Sequence, residues 1–207
     1  MAWSIDTMSP AQGAHAATVR ARSLGSLLPS ASDVKRAYGS GYTVLISRTT
    51  TNSELRKTLG SAGASVLQGL TGRVSGFESI YTHQLITVQG KRVTAKPGVS
   101  LILAAVNEYQ NTAYAQRAVN LTEHSKGKPP KGTTERLAPL SGVGDSGVML
   151  SVHTTLVGIP PTDSVYVDFQ RGKYTAVIDV AAFGGKPNGN TILSLAHLVD
   201  ARIRSTG

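Results

Sequence analysis

The sequence predicts an α+β domain: a twisted, mainly antiparallel sheet with flanking helices, in which a strand-strand-helix order occurs twice. Three observations carry this. The first is a hairpin signal from Ser164 to Phe183, where Val165, Val167 and Phe169 alternate with Tyr166, Asp168 and Gln170, and Tyr174, Ala176, Ile178 and Val180 alternate with Thr175, Val177 and Asp179. The second is composition: 40% hydrophobic, only 16% charged and 22 glycines in 207 residues, a mix that suits a β-rich globular chain better than a bundle or a disordered one. The third is order, since strand-type segments give way to helix-type segments over 72–124 and again over 145–204. The two stretches share pattern rather than residues, so a duplication rests on pattern alone.

Taken from the start, residues 1–26 are rich in Ala, Ser and Gly, and read as a flexible arm that Trp3 could pin. A single domain then covers 27–207, with halves 27–124 and 133–207 joined by a Lys/Gly/Pro linker at 125–132. Ser32 or Asp33 is expected to cap a short helix over Val34 to Tyr38, which Gly39 and Gly41 end. Tyr42 to Ser47 reads as a strand, and Asn52 or Ser53 as the cap of a helix through Leu55 and Leu59. Arg73 to Thr82 and Leu85 to Gln89 read as strands, the latter followed by a tight turn to Arg92. Val99 to Val106 is so continuously apolar that a central strand buried on both faces is expected. Tyr109 to His124 follows with helical spacing.

In the second half, Gly147 to Val157 reads as a strand and Gly158 to Pro161 as a turn. The hairpin comes next. With Arg171 and Gly172 as its loop, Phe169 faces Tyr174, Val167 faces Ala176 and Val165 faces Ile178, giving one apolar face; Asp168 and Thr175 share the wetter one. After a loop at 184–189, Asn190 or Thr191 is expected to cap a last helix whose apolar stripe runs from Ile192 through Leu195 and Val199 to Ile203. Arg202 and Arg204 sit in its last turn, where the helix dipole favours cations.

Twenty-one Lys and Arg against twelve Asp and Glu give a formal charge of +9, enough to favour encounters with anionic membrane or wall surfaces. Nucleic acid is disfavoured, because the cations are scattered and aromatics are only 5%. With no Cys, neither disulfides nor thiolate metal sites can form. Met1 to Pro10 lacks a basic region followed by an apolar run, so the chain reads as cytoplasmic or as a mature exported segment with its signal trimmed.

Motifs for chemistry are few. Gly144-Asp145-Ser146-Gly147 has the letters that surround a protease serine, which would need a histidine base, an orienting acid and backbone donors for the oxyanion. No second Gly and Pro follow it, and Asp-Ser-Gly is equally a turn feeding a strand. His15, His83, His124, His153 and His197 show no metal-ligand spacing, and no phosphate-cradling glycine motif is present, so no metal and no cofactor are expected.

Four segments carry a resemblance: Leu27-Leu28-Pro29-Ser30-Ala31-Ser32-Asp33-Val34, Gly72-Arg73-Val74-Ser75-Gly76-Phe77-Glu78, Val143-Gly144-Asp145-Ser146 and Val167-Asp168-Phe169-Gln170-Arg171-Gly172-Lys173. Together, over about residues 27–204, they resemble actinobacterial exported lipoproteins and PknH-like extracellular sensor domains. The resemblance implies an extracytoplasmic α+β domain, attached to membrane or cell wall, with a cleft for a ligand. Such sensor domains usually carry disulfides, and this chain departs from them in having no Cys.

The leading expectation is therefore a ligand-binding or sensor-like domain without catalytic activity, its ligand a small molecule, lipid or cell-wall glycan. Strand alternation points to Tyr81, His83, Tyr166 and Arg171 as ligand-facing residues on the polar sheet face. The alternatives are a serine hydrolase using Ser146 and a basic structural or interaction protein that binds polyanions.

Overall fold

The computed structural model of the protein describes residues 24–59, 70–83, 86–89, 92–95, 97–124, 131–155 and 161–206. Expectations placed on residues 1–23 and on 125–130 of the linker lie outside the described residues. Its helices are α1 (Ala31–Tyr38), α2 (Asn52–Leu59), α3 (Thr112–His124) and α4 (Gly189–Arg204). The strands are β1 (Thr43–Thr50), β2 (Arg73–Thr82), β3 (Ile86–Gln89), β4 (Arg92–Ala95), β5 (Gly98–Tyr109), β6 (Thr133–Pro139), β7 (Ser146–Thr154), β8 (Thr162–Arg171) and β9 (Tyr174–Phe183). Seven of them form one sheet in the order β1-β2-β5-β9-β8-β7-β6, antiparallel at every step, and β3 and β4 form a separate ribbon. The α+β architecture read from the sequence is the one observed.

The two expected halves meet at β5 and β9, which pair from Gly98↔Phe183 to Glu108↔Tyr174 in the middle of the sheet. Each of these strands runs into a helix, α3 after β5 and α4 after β9, so the repeated strand-then-helix order is real at the level of topology. β5 is central as expected but is not buried on both faces. Ile102, Ala104 and Val106 are fully buried, whereas Leu101, Leu103 and Ala105 are half-exposed, because one face lies under α4 and α1 and the other does not.

The hairpin keeps its expected faces but not its expected register. Gly172 and Lys173 form the loop, and Phe169 pairs with Ala176, Val167 with Ile178 and Val165 with Val180. Only the first loop position, Gly172, has a positive φ, 54°, as a type II′ turn requires. The slip is two residues, and with a side-chain period of two it leaves each residue on its assigned face.

The helix caps also move. Ser30, rather than Ser32 or Asp33, caps α1: its hydroxyl accepts from the Asp33 amide at 3.2 Å while Asp33 Oδ2 accepts from the Ser30 amide at 2.8 Å, a reciprocal capping box. Asn188, rather than Asn190 or Thr191, caps α4 by accepting from both of their amides. β6 was not distinguished in the sequence; its burial pattern shows no alternation, as suits a strand at the sheet edge. Leu24 is 2% exposed and belongs to the core, so the folded body begins at least three residues before the boundary expected at 27.

On the first face of the sheet, Ile102, Ala104, Val106, Val167, Phe169 and Ile178 meet Ile192, Leu195, Ala196, Val199 and Ile203 of α4 and Val34 of α1 in one cluster. Ion pairs fasten this cover. Asp200, fully buried on α4, accepts two bonds from Arg171, at 2.7 and 2.9 Å, and one contact from Arg204 at 3.2 Å. Arg202 binds Asp33 at 2.8 Å and the carbonyl of Leu28. Burial alone would raise the Asp33 carboxyl, yet the bonds from Ser30 and Arg202 outweigh it and hold it at about 2.

At the same strand ends as Arg171, but on β2, Arg73, 5% exposed, ties four elements together. It donates to Asn107 on β5, Asn52 on α2 and Thr50 at the end of β1, each a neutral acceptor, and burial lowers its pKa. Gly76 makes room for it: a Cβ there would lie 2.0 Å from Arg73 Nη2. α3 covers this end of the second face with Ala115 and Val119.

Candidate functional site

The sheet is wider than its cover. Strands lie about 4.8 Å apart and a helix is about 10 Å across, so α4, packed on β8 and β9, cannot also roof β7 and β6. A recess of about 380 Å³ opens there, within the size range of small-ligand pockets.

Register explains its lining. Two cross-strand rows run on the first face from the sheet edge inward: Arg136–Ser151–Val165–Val180 and Thr134–His153–Asp163–Ala182. Val180 and Ala182 are buried, and the outer members of both rows line the recess. Met149 and Val165 form an apolar floor with Pro187 beside it, and Lys186 on the loop into α4 with Gly189 at the start of α4 makes one wall. Most of the lining surface is apolar.

The polar groups divide into committed and free. His153 Nδ1 is 2.9 Å from Asp163 Oδ1, and its Nε2 is 3.1 Å from Thr155 Oγ1. This is a hydroxyl-imidazole-carboxylate chain. A nucleophilic triad also needs backbone donors held for the oxyanion, and the Thr155 amide is committed to the Gly132 carbonyl at 2.8 Å. The chain also ties β7 to β8 along the recess wall. Arg136 and Lys186, by contrast, have no hydrogen-bond or ion-pair partner among the described residues. Glu135 alternates to the opposite face of β6, so its carboxylate does not answer Arg136 from the recess side.

The four residues singled out in the sequence are not brought together. Tyr81 lies on the first, apolar face rather than the polar one; it is 4% exposed, its hydroxyl donates to the Pro29 carbonyl at 2.5 Å, and burial raises its pKa. The sequence misplaced it because a phenol can satisfy its one polar atom at the rim of a core. His83 follows β2 and stacks on Tyr42 with ring centroids 5.2 Å apart. Tyr166 does lie on the second face, directly opposite Asp179, and burial pushes its phenol well up. Arg171 ends β8, where Asp200 and Asp145 take its guanidinium, and the Asp200 bond leads in raising its pKa. Sheet register puts His83 near the level of Ser164, some seven residues or about 23 Å along the strand from Arg171.

Among the described residues Ser146 has no imidazole partner: its hydroxyl donates to Gln116 at 2.8 Å and lies 3.4 Å from Gln170 Oε1. Asp145 accepts from the Gly172 amide at 2.8 Å and from Arg171, so the Gly-Asp-Ser-Gly segment serves as a clasp under the hairpin turn. Among the described residues no group of three or more His, Cys, Asp or Glu could hold a metal ion. None of their helices is long and apolar enough to cross a membrane.

Asp179 differs from the other buried carboxylates. Its Oδ1 is buried on the second face with no hydrogen-bond partner among the described residues, and desolvation raises its pKa.

What signal marked the recess in the sequence? His153 and Asp163 flank one turn signal in the sequence, and the antiparallel pairing of β7 with β8 sets them face to face. Nothing comparable marks Arg136 or Lys186, whose meeting depends on how far α4 reaches across the sheet.

The fold has a solved counterpart. The chain is similar to the extracellular domain of PknH from Mycobacterium tuberculosis, with a TM-score of 0.59 at 12% identity, over 89% of this chain and 96% of that one. The expected PknH-like resemblance is upheld as a shared fold, a seven-stranded antiparallel sheet with flanking helices. No protein-family model matches the sequence, and no curated protein does.

Proposed function

We propose that the chain is a non-catalytic, extracytoplasmic, sensor-like domain that binds a small molecule in the recess beside α4. One observation carries the ligand site: an apolar floor of Met149 and Val165 under a rim that keeps two polar side chains uncommitted. The fold shared with the extracellular domain of PknH supports the extracytoplasmic, sensor-like reading. Commitment of Ser146 and of the His153 chain to structural bonds supports the absence of catalysis.

Thermal-shift screening against lipids, glycans and wall fragments tests the reading, with Ser151→Trp as the control that fills the recess from its half-buried floor. A compound that raises the melting temperature of the parent and not of Ser151→Trp is the expected result. A shift that survives Ser151→Trp would move the site elsewhere. If only nucleic acid or another polyanion stabilises the chain, the basic interaction protein is the better description.

A further inference from the structure

The chemistry of the recess narrows the ligand, and this step rests on the reading just given. We infer that the recess takes a small anionic amphiphile, a molecule with one carboxylate-type head and a short unbranched apolar body. The head is argued from the rim. Arg136 on β6 and Lys186 on the loop into α4 border the same cavity, and neither has an ion-pair partner among the described residues. Of the two carboxylates in the lining, Asp163 already holds His153 at 2.9 Å, and the Glu135 side chain alternates to the other face of β6. A guanidinium and an ammonium left free over an apolar surface favour an anion, and the guanidinium can bind both oxygens of a carboxylate.

The body is argued from the floor. Met149 and Val165 come from successive cross-strand rows of the first face, so they present a continuous apolar strip leading from the sheet edge toward α4. Buried Pro187 closes the strip on one side and contributes no amide that would need a partner. The unbranched methionine adapts to chains of differing length. The short polar side chains of this face are Ser151, in the row of Val165, and Thr134, in the row of His153.

Isothermal calorimetry on the intact chain with octanoate, 1-octanol, octylamine, hexanoate and inorganic phosphate as probes tests this. Octanoate should bind, and 1-octanol and octylamine should each be weaker by about tenfold or more, the worth of a charge-assisted hydrogen bond. Hexanoate should be weaker by about fourfold per methylene removed, equivalent to 0.8 kcal/mol each. Arg136→Gln with Lys186→Gln, both exposed and free of structural bonds, should cost octanoate about tenfold while leaving the melting temperature of the unliganded chain in place. Ser151→Trp should abolish binding.

Several results overturn the inference, and they separate it from the reading beneath it. Equal binding of octanol or octylamine, lost in Ser151→Trp, would keep the recess and reject the anionic head. Phosphate binding as tightly as octanoate would reject the apolar body. Octanoate binding that the double variant does not weaken would reject the two cations as its receptor. No binding of any probe, together with a lysate-free screen that finds no recess ligand, would reject both.

Discussion

On the α4 side of the sheet a buried aspartate, Asp200, is fully answered, and on the opposite side a half-buried one, Asp179, is not. Asp200 is 0% exposed and holds Arg171, Arg204 and the Gly144 amide, bonds that outweigh its desolvation and lower its pKa. Asp179, on a strand of the same hairpin that Arg171 helps to close, has a buried oxygen without a partner among the described residues and a raised pKa. The neighbouring side chains differ in the same way. Phe169 and Ile178 are fully buried against α4, whereas Leu103 and Val177 on the second face are half-exposed. One face is the structural core; the other is only partly closed by α3 among the described residues.

The largest test of this contrast is truncation on each face. Phe169→Ala should cost about 4 kcal/mol in urea unfolding, and Leu103→Ala about 1 kcal/mol, because only the first leaves a closed cavity. Equal losses would mean that both faces are equally packed. Next in size is the ion-pair anchor. Asp200→Ala should cost about 3 kcal/mol by the same measurement, since Arg171 is left half-buried with Asp145 alone. A loss under about 1 kcal/mol would show Arg171 simply turning to water, and the two faces would then differ in packing only.

The smallest effect has the opposite sign. Asp179→Asn should stabilise the protein by about 1 kcal/mol at pH 7, by removing a charge whose burial is uncompensated. The folded-state pKa is raised, so the stability tied to protonated Asp179 is fully present below the unfolded value of about 3.9 and is lost as pH rises through the folded one. The advantage of the variant should therefore shrink as pH falls and vanish in acid. Stability curves from pH 3 to pH 8 that run parallel would show Asp179 to be partnered after all.

Legibility in the sequence followed the same line. Period-two alternation identified the hairpin faces, because burial of the first face is strong enough to write itself into Val165, Val167, Phe169, Ala176, Ile178 and Val180. Loop position escaped it, since a slip of two residues preserves every face and only the positive φ of Gly172 breaks the tie. The caps moved to Ser30 and Asn188 because a cap lies outside the apolar stripe that reveals the helix, and several polar residues compete for it. The recess was least legible: Arg136 and Lys186 are 50 residues apart in sequence and meet only where a helix ends its reach over a sheet. Tyr81 and Arg171 misled for a related reason, each being a polar tip satisfied by a partner distant in sequence, Pro29 and Asp200.

The central pairing of β5 with β9 also bears on how the chain is made. Ala104 meets Ile178, so one edge of the most apolar strand, β5, stays unpaired until β9 has been made. Until then β1, β2 and β5 form at most a three-stranded fragment whose open edge is the strand richest in aliphatic residues. Closure over so long a loop makes assembly slow compared with a helical protein of this size, and it leaves the nascent chain dependent on protection from its own kind during synthesis.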